Sequence, residues 1–353
     1  MKIKLIDVCT PKQWKTIPTS DLLDEGYPVY GANGIIGYYS EFNHEDSVIA
    51  VTCRGATCGA INITMPKSYV TGNAMCLDNV RSDIEIEYLY YCLRYYDFNN
   101  VISGSAQPQI TRQGMEKIVI SVCRHDKQVE IINKLRCVEK IIQMRNKQLE
   151  YMDELVKARF VEMFGDPIVN SKKFDTKDLK DVLLLKAGDF TAASEIFGEP
   201  NKTNQYPCYG GNGIRGYVSE YNQEGEYSLI GRQGALSGNV QFASGKFKNT
   251  EHALLVKPIL EMNNIWLNQL LINLDLKRYQ TGAAQPGLSV KNLQEIPIIM
   301  VCIELQNQFA DFVQQVDKSK VVDSIYLLRI GLYVLNIDEW NKYFGKYHAE
   351  KLA

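Results

Sequence analysis

Two stretches decide the fold: YPVYGANGIIGYYSEFN at 27–43 and YPCYGGNGIRGYVSEYN at 206–222. Twelve of their seventeen positions are identical, at a constant offset of 179. The same offset sets Gly55-Ala56 on Gly234-Ala235, Gly59 on Gly238 and Ala74 on Ala253. One residue less, 178, sets SGSAQPQI (103–110) on TGAAQPGL (281–288) and EIEYLYYCLRYYDF (85–98) on NNIWLNQLLINLDL (263–276). Within that last pair Leu89 and Leu93 match Leu267 and Leu271 at i, i+4 spacing, which predicts a helix in each copy. A period this long exceeds any solenoid unit, so each copy is a domain. Short β-rich runs (Ser47 to Thr52, Lys117 to Val122) alternate with glycine turns and the helix. The expected class is α+β.

Between the copies His125 to Phe164 contains no Gly or Pro, and Gly165-Asp166-Pro167 stops the run. Leu135, Val138, Ile142, Leu149, Met152, Val156 and Met163 follow 3-4 spacing, with Arg145 and Arg159 at two seam positions. About 38 residues at 1.5 Å each give a rod of roughly 57 Å, which must cover its apolar seam. The duplication supplies the partner. IELQNQFADFVQQVDKSK (303–320) repeats the start of the rod, Gln306 falling on Gln128, with a stripe of Leu305, Phe309, Phe312 and Val316. An antiparallel coiled coil of two rods is expected. The domain boundaries are 1–123, a spacer helix 124–164, 165–301, and a second spacer helix with an atypical tail, 302–353.

The chain has 353 residues with 39 Lys+Arg against 41 Asp+Glu, which excludes a uniformly basic nucleic-acid binder but not a local basic groove. Its nine cysteines include no CxxC pair, and MKIKLIDVCTPKQW has no apolar core for a signal peptide, so a reducing cytoplasm is expected. The apolar stretch Val321 to Ile337 contains Asp323 and Arg329, which favours a buried or partner-facing helix over a membrane span.

Gly211-Asn212-Gly213-Ile214-Arg215-Gly216 is a literal GxGxxG. The next residues, Tyr217 to Tyr221, are strand-like, and the twin loop has Ala32 in place of the first glycine, so a dinucleotide site is not expected. GxxxxGK[ST], HExxH, GxSxG and Asn/Asp-Pro-Pro-aromatic runs are all missing. Cys53 and Cys58 hint at metal, but their twins are Arg232 and Ser237. A recogniser without a catalytic or metal site is expected.

The loops supply recognition chemistry. Tyr30 and Tyr209 flank Asn33 and Asn212, and Asn pairs bidentately with adenine. Arg54-Gly55 and Arg232-Gln233 place guanine- and adenine-reading side chains beside glycine. Gln107 and Gln285 recur, followed in copy one by Thr111 and Arg112. Turn chemistry accounts for Asn33, Gly34, Asn212 and Gly213 as well as base contact does. Where the copies differ, recognition is the better account: Ile36 against Arg215, Cys53 against Arg232, Thr111-Arg112 against Ser289-Val290. Two other classes remain. One is a carbohydrate-acting enzyme using Glu41 and Glu220; the other is a duplicated protein-binding scaffold.

Together, YGANGIIGY/YGGNGIRGY, SAQPQ/AAQPG and a long helix ending ARFVEMFGDP resemble the specificity (S) subunit of type I restriction–modification systems, over about residues 1–320. The resemblance implies two tandem target-recognition domains, each reading one half of a split double-stranded DNA target. The helices would set the gap; half-sites on one face of B-DNA lie ~34 Å apart. It also implies two methyltransferase subunits and restriction/translocase subunits as partners. Those would bring S-adenosylmethionine and ATP, and no cofactor is expected on this chain. One departure stands out: after Lys320 the second rod loses its polar heptads and Gly331 interrupts it.

Overall fold

The computed structural model describes residues 1–104, 107–282 and 287–334, with 321–334 as helix backbone. The chain divides into two compact units, Met1–Arg145 together with Ser324–Ala353, and Asn146–Asp323. Each unit mixes sheet and helix, and a long helix follows each repeat: His125–Phe164 after the first, Ile303–Val334 after the second.

In the first unit a four-stranded antiparallel sheet runs in the order Thr10–Gln13, Ala74–Asp78, Ile49–Thr52, Ile61–Ile63. Strand Ile49–Thr52 is buried at every position, as its unbroken apolar run requires. Helix Ile86–Arg94 seats Leu89 and Leu93 in the core, as the i, i+4 pair predicts, and Ile131, Ile132 and Leu135 of the long helix join them. A separate three-stranded sheet holds the hairpin Tyr27–Gly31/Gly34–Tyr39 with Tyr69–Val70.

The second unit fuses the corresponding strands into one sheet of six. Its order is Leu183–Ala187, Ala253–Pro258, Gln223–Gly231, Val240–Asn249, Tyr206–Gly210, Gly213–Val218. The difference is local. Val240–Asn249 is one strand, paired from Gln223 to Ile230. In copy one the ladder covers Ile49 to Val51 and breaks at Met65-Pro66-Lys67, where Lys67 sits at φ 54°. Proline offers no N–H to a ladder, so the strand stops there and resumes at Tyr69.

Both hairpins turn at Asn-Gly, with Gly34 at φ 95° and Gly213 at φ 97°. Both carry a bulge, between Val29 and Tyr30 and between Cys208 and Tyr209. The last glycine of the GxGxxG string, Gly216, lies inside the returning strand Gly213–Val218, where a Cβ would strike the Phe197 carbonyl. The string is therefore a β-hairpin, as the strand-like sequence after it indicates.

The seam of the first long helix differs in part from its predicted stripe. Leu135, Val138, Arg145 and Val156 are buried, but Ile142 is 42% exposed, while Phe160 and Phe164, outside the stripe, are fully buried. The burial of these two rings has its cause within the second unit. Phe309 packs edge-on against Phe160 and Phe164, both at 5.5 Å, and Phe164 meets Trp266 at 6.0 Å. The Arg159 guanidinium lies over Phe312, and Lys320 pairs with Asp153 at 2.8 Å. Partners rise along one helix as they fall along the other, so the two segments are antiparallel here. Burying each of these rings contributes ~1.5–3 kcal/mol.

The twin glutamines have matching roles. Gln128 is fully buried; its Oε1 accepts the Glu85 N–H (2.9 Å) and its Nε2 donates to the Asp83 and Cys123 carbonyls (2.9 and 3.0 Å). Gln306 Oε1 accepts the Asn263 N–H (2.9 Å) and its Nε2 donates to the Val301 carbonyl (2.7 Å). In each unit the glutamine ties the start of the domain helix to the start of the long one. Among the described residues, no helix is long and apolar enough to cross a membrane.

Candidate nucleic-acid interface

In the second unit four loops converge. The hairpin turn lays Gly211 against Gly231 and the His252 carbonyl. The Arg232 N–H donates to the His252 carbonyl (3.0 Å), and the Arg232 carbonyl accepts from the Leu288 N–H (2.7 Å). Gln233 bridges to Gly287, beside the predicted Gln285, which lies outside the described residues. The first unit repeats the convergence. Thr52 Oγ1 donates to the Ala32 carbonyl, tying the hairpin turn to the next loop. The Gly55 N–H donates to the Pro108 carbonyl (3.2 Å), the Ile110 N–H to the Cys53 carbonyl (3.0 Å), and Arg54 bridges to Gln109. Backbone bonding of this kind fixes where loop side chains start while leaving their identity free.

On this frame Asn33, Arg54 and Gln107 are exposed in copy one, and Asn212, Arg215 and Gln233 in copy two. Gly55 is half-buried at φ 88° with open space where a Cβ would stand. Asn212 Oδ1 accepts from Asn239 Nδ2 at 2.9 Å. Arg232 is half-buried, with Nη1 donating to the Glu251 carbonyl at 3.3 Å and Nε shielded from solvent. Gln233 Oε1 lies 3.1 Å from His252 Nδ1, and His252 Nε2 lies 3.1 Å from Glu251 Oε1. Arg232, Gln233, His252 and Glu251 thus form one polar network, and Asn212 with Asn239 a separate pair. Such a network holds donors and acceptors in place before any ligand arrives.

Several predicted residues are placed elsewhere. Tyr30 is 7% exposed and its hydroxyl accepts the Met65 N–H (3.1 Å), so it props the loop from beneath. Tyr209 is half-buried against Phe247 at 5.4 Å. Thr111 Oγ1 accepts the Gly114 N–H and caps helix Arg112–Met115, as Ser289 Oγ caps Val290–Gln294. The Thr111/Ser289 contrast is therefore two versions of one helix cap. Arg112 lies 4.0 Å from Glu116. Cys53 is fully buried and receives Gln13 Nε2 at 3.0 Å, which removes it from any contact surface. Glu41 and Glu220 are both exposed.

Sequence reasoning missed Asn239, Glu251, His252 and Phe190. Glu251-His252 stand where copy one has Gly72-Asn73, a contrast the offset of 179 already holds. Phe190, 79% exposed, comes directly after Asp189, whose carbonyl accepts the Glu251 N–H (3.2 Å). No repeat signal marks it.

A family model for the type I restriction modification DNA specificity domain matches residues 1–151 and again 171–322. The chain belongs to this family. It is 39% identical over 175 residues to the type I restriction enzyme EcoprrI specificity subunit of Escherichia coli. It is 33% identical over 105 residues to a putative type I specificity subunit of Haemophilus influenzae. These matches take in 49% and 29% of this chain, and only 41% and 27% of the two relatives' lengths. Among solved structures, the type I specificity-domain fold recurs in the S subunit from M. genitalium, with a TM-score of 0.59 at 17% identity, covering 98% of this chain and 95% of that one. A chain from a study of complex assembly and conformational transition in the type I restriction–modification system gives a TM-score of 0.55 at 14% identity, covering 95% of each. At those identities the likeness is one of fold.

Proposed function

We propose that this protein is the DNA-reading subunit of a type I restriction–modification complex. Each unit reads one half of a bipartite double-stranded target. The observation that carries the reading is the duplicated loop convergence, one backbone frame bearing Arg54 in one copy and Arg232, Gln233 and His252 in the other. A shared frame with different side chains suits two different short sequences, because base identity is read by side-chain donors and acceptors while the frame sets register. The long helices set the gap and dock two methyltransferase subunits, with restriction/translocase subunits joining the same assembly in the cytoplasm. The chain itself is non-catalytic. S-adenosylmethionine and ATP belong to the partners.

The test is sequence enrichment from random duplexes by the complex assembled with its methyltransferase. A bipartite motif with a fixed gap is expected. A single contiguous motif, or none, overturns the proposal. The protein-scaffold alternative separates by salt: phosphate-dominated binding weakens steeply as salt rises, whereas apolar docking does not.

A further inference from the structure

The end of the first unit's sheet remote from the reading loops carries a cluster the second unit lacks. Asn43 pinches Val70: the Val70 N–H donates to Asn43 Oδ1 (2.9 Å) and Asn43 Nδ2 donates to the Val70 carbonyl (3.0 Å). That pair fixes which amide atom is oxygen. The same Oδ1 lies 2.6 Å from His44 Nδ1, and a carbonyl oxygen only accepts, so Nδ1 carries a proton. His44 Nε2 then lies 3.1 Å from Asp78 Oδ1, while Asp78 Oδ2 accepts from Trp14 Nε1 at 3.2 Å. A neutral imidazole protonated at Nδ1 turns a lone pair toward a carboxylate oxygen. Two acceptors do not hold that distance unless a cation sits between or beside them.

The cation is either a second proton on the ring or a metal ion, and the third member of the cluster separates these. The ligand atoms of His44, Cys76 and Asp78 all lie within 4.8 Å of one another. Cys76 is fully buried, and the His44 and Asp78 side chains are only 10% and 13% exposed. An imidazolium–carboxylate pair needs no sulfur. Zinc-class ions take nitrogen, oxygen and sulfur together, with bonds of roughly 2.0–2.3 Å, so neighbouring ligand atoms stand about 3–4 Å apart. Asn43 on the distal ring nitrogen and Trp14 on the distal carboxylate oxygen supply the outer hydrogen bonds that orient metal-binding side chains.

We propose that His44 Nε2, Cys76 Sγ and Asp78 Oδ1 bind one divalent ion of the zinc class, with water as the fourth ligand. Loading releases the Cys76 thiol proton to solvent, and the thiolate takes its place on the metal. The ion clips the segment beginning at Asn43 to strand Ala74–Asp78 and to Trp14. The twins at the same offset are Gln223, Leu255 and Lys257, which form no ligand set. Copy two does not need the clip, because its ladder is continuous from Gln223 to Ile230, whereas in copy one the matching ladder covers Ile49 to Val51 and His44 is joined to Ser68 by an isolated bridge. The site stands apart from the reading loops, so it does not depend on the proposed function.

The experiment is metal analysis of the full-length chain, purified without a metal-affinity step and equilibrated with micromolar zinc. One zinc per chain is expected, with a thermal midpoint that falls on chelation and recovers with zinc. The cobalt form should show a sulfur-to-cobalt charge-transfer band that Cys76→Ser abolishes. His44→Gln and Asp78→Asn should each weaken zinc binding at least ten-fold. If Cys76→Ser does not fold, the other two variants carry the test. Sub-stoichiometric zinc with an unmoved midpoint overturns the proposal in favour of the imidazolium pair. A charge-transfer band that survives in Cys76→Ser overturns it by placing the metal on another thiol.

Discussion

Replacing Gln128 with alanine removes three hydrogen bonds at one point: the acceptor for Glu85 N–H and the donor to the Asp83 and Cys123 carbonyls. Each buried polar group left unpaired costs about 1–3 kcal/mol. Glu85 and Cys123 are half-buried and Asp83 is exposed, so water recovers part of the loss and the low end of the range applies to each. The expected cost is about 3 kcal/mol, which is a factor of roughly 150 in a local opening equilibrium at 1.4 kcal/mol per decade. Gln306→Ala removes two bonds, to Asn263 and Val301, and should cost about 2 kcal/mol, or roughly thirty-fold. Gln128→Glu keeps the acceptor but turns a carboxylate toward two carbonyl oxygens, so it should not rescue.

Native-state hydrogen exchange read by mass spectrometry suits the question, because the two units need not unfold together. Protection should fall at the start of helix Ile86–Arg94 in Gln128→Ala and at the start of Asn264–Asn273 in Gln306→Ala, each sparing the other unit. Unchanged protection in Gln128→Ala, or full rescue by glutamate, would refute the clamp.

The same geometry sets other expected outcomes. Phe309→Ala removes the ring that Phe160 and Phe164 pack against and should cost about 3–5 kcal/mol of second-unit stability, measured by urea unfolding. Arg232→Ala should lower affinity for the target by about 1–3 kcal/mol and relax sequence preference in one half-site only, measured by enrichment; equal relaxation in both halves would count against one unit reading one half. Phe190→Ser should leave the unfolding free energy within ~0.5 kcal/mol of wild type, as exposed positions do, while weakening binding to specific duplex. Burial pushes the Cys9 and Cys92 thiols up to about 12, with nearby Asp78 adding to the rise at Cys9. Below pH 9 both stay protonated, so alkylation of the native chain should reach the exposed Cys137 and Cys302 first and Cys9 and Cys92 only on unfolding.

The duplication, the two domain helices, the Asn-Gly hairpins, the extent of the first long helix and the family are all legible in the residues alone. Each is written in neighbouring residues or in a constant offset. Glycine at a turn and leucines one helical turn apart act through local backbone geometry, which needs no tertiary context. The remainder waited on packing. Tyr30 turned inward and Thr111 became a helix cap, because burial and capping depend on what packs alongside. Phe160 and Phe164 joined the helix seam because those rings answer to Phe309, more than 140 positions away. Arg232, Gln233, Glu251 and His252 gathered into one network, and His44, Cys76 and Asp78 into another. Side chains far apart in the chain meet only when a sheet lays their strands together, and no local pattern records that pairing.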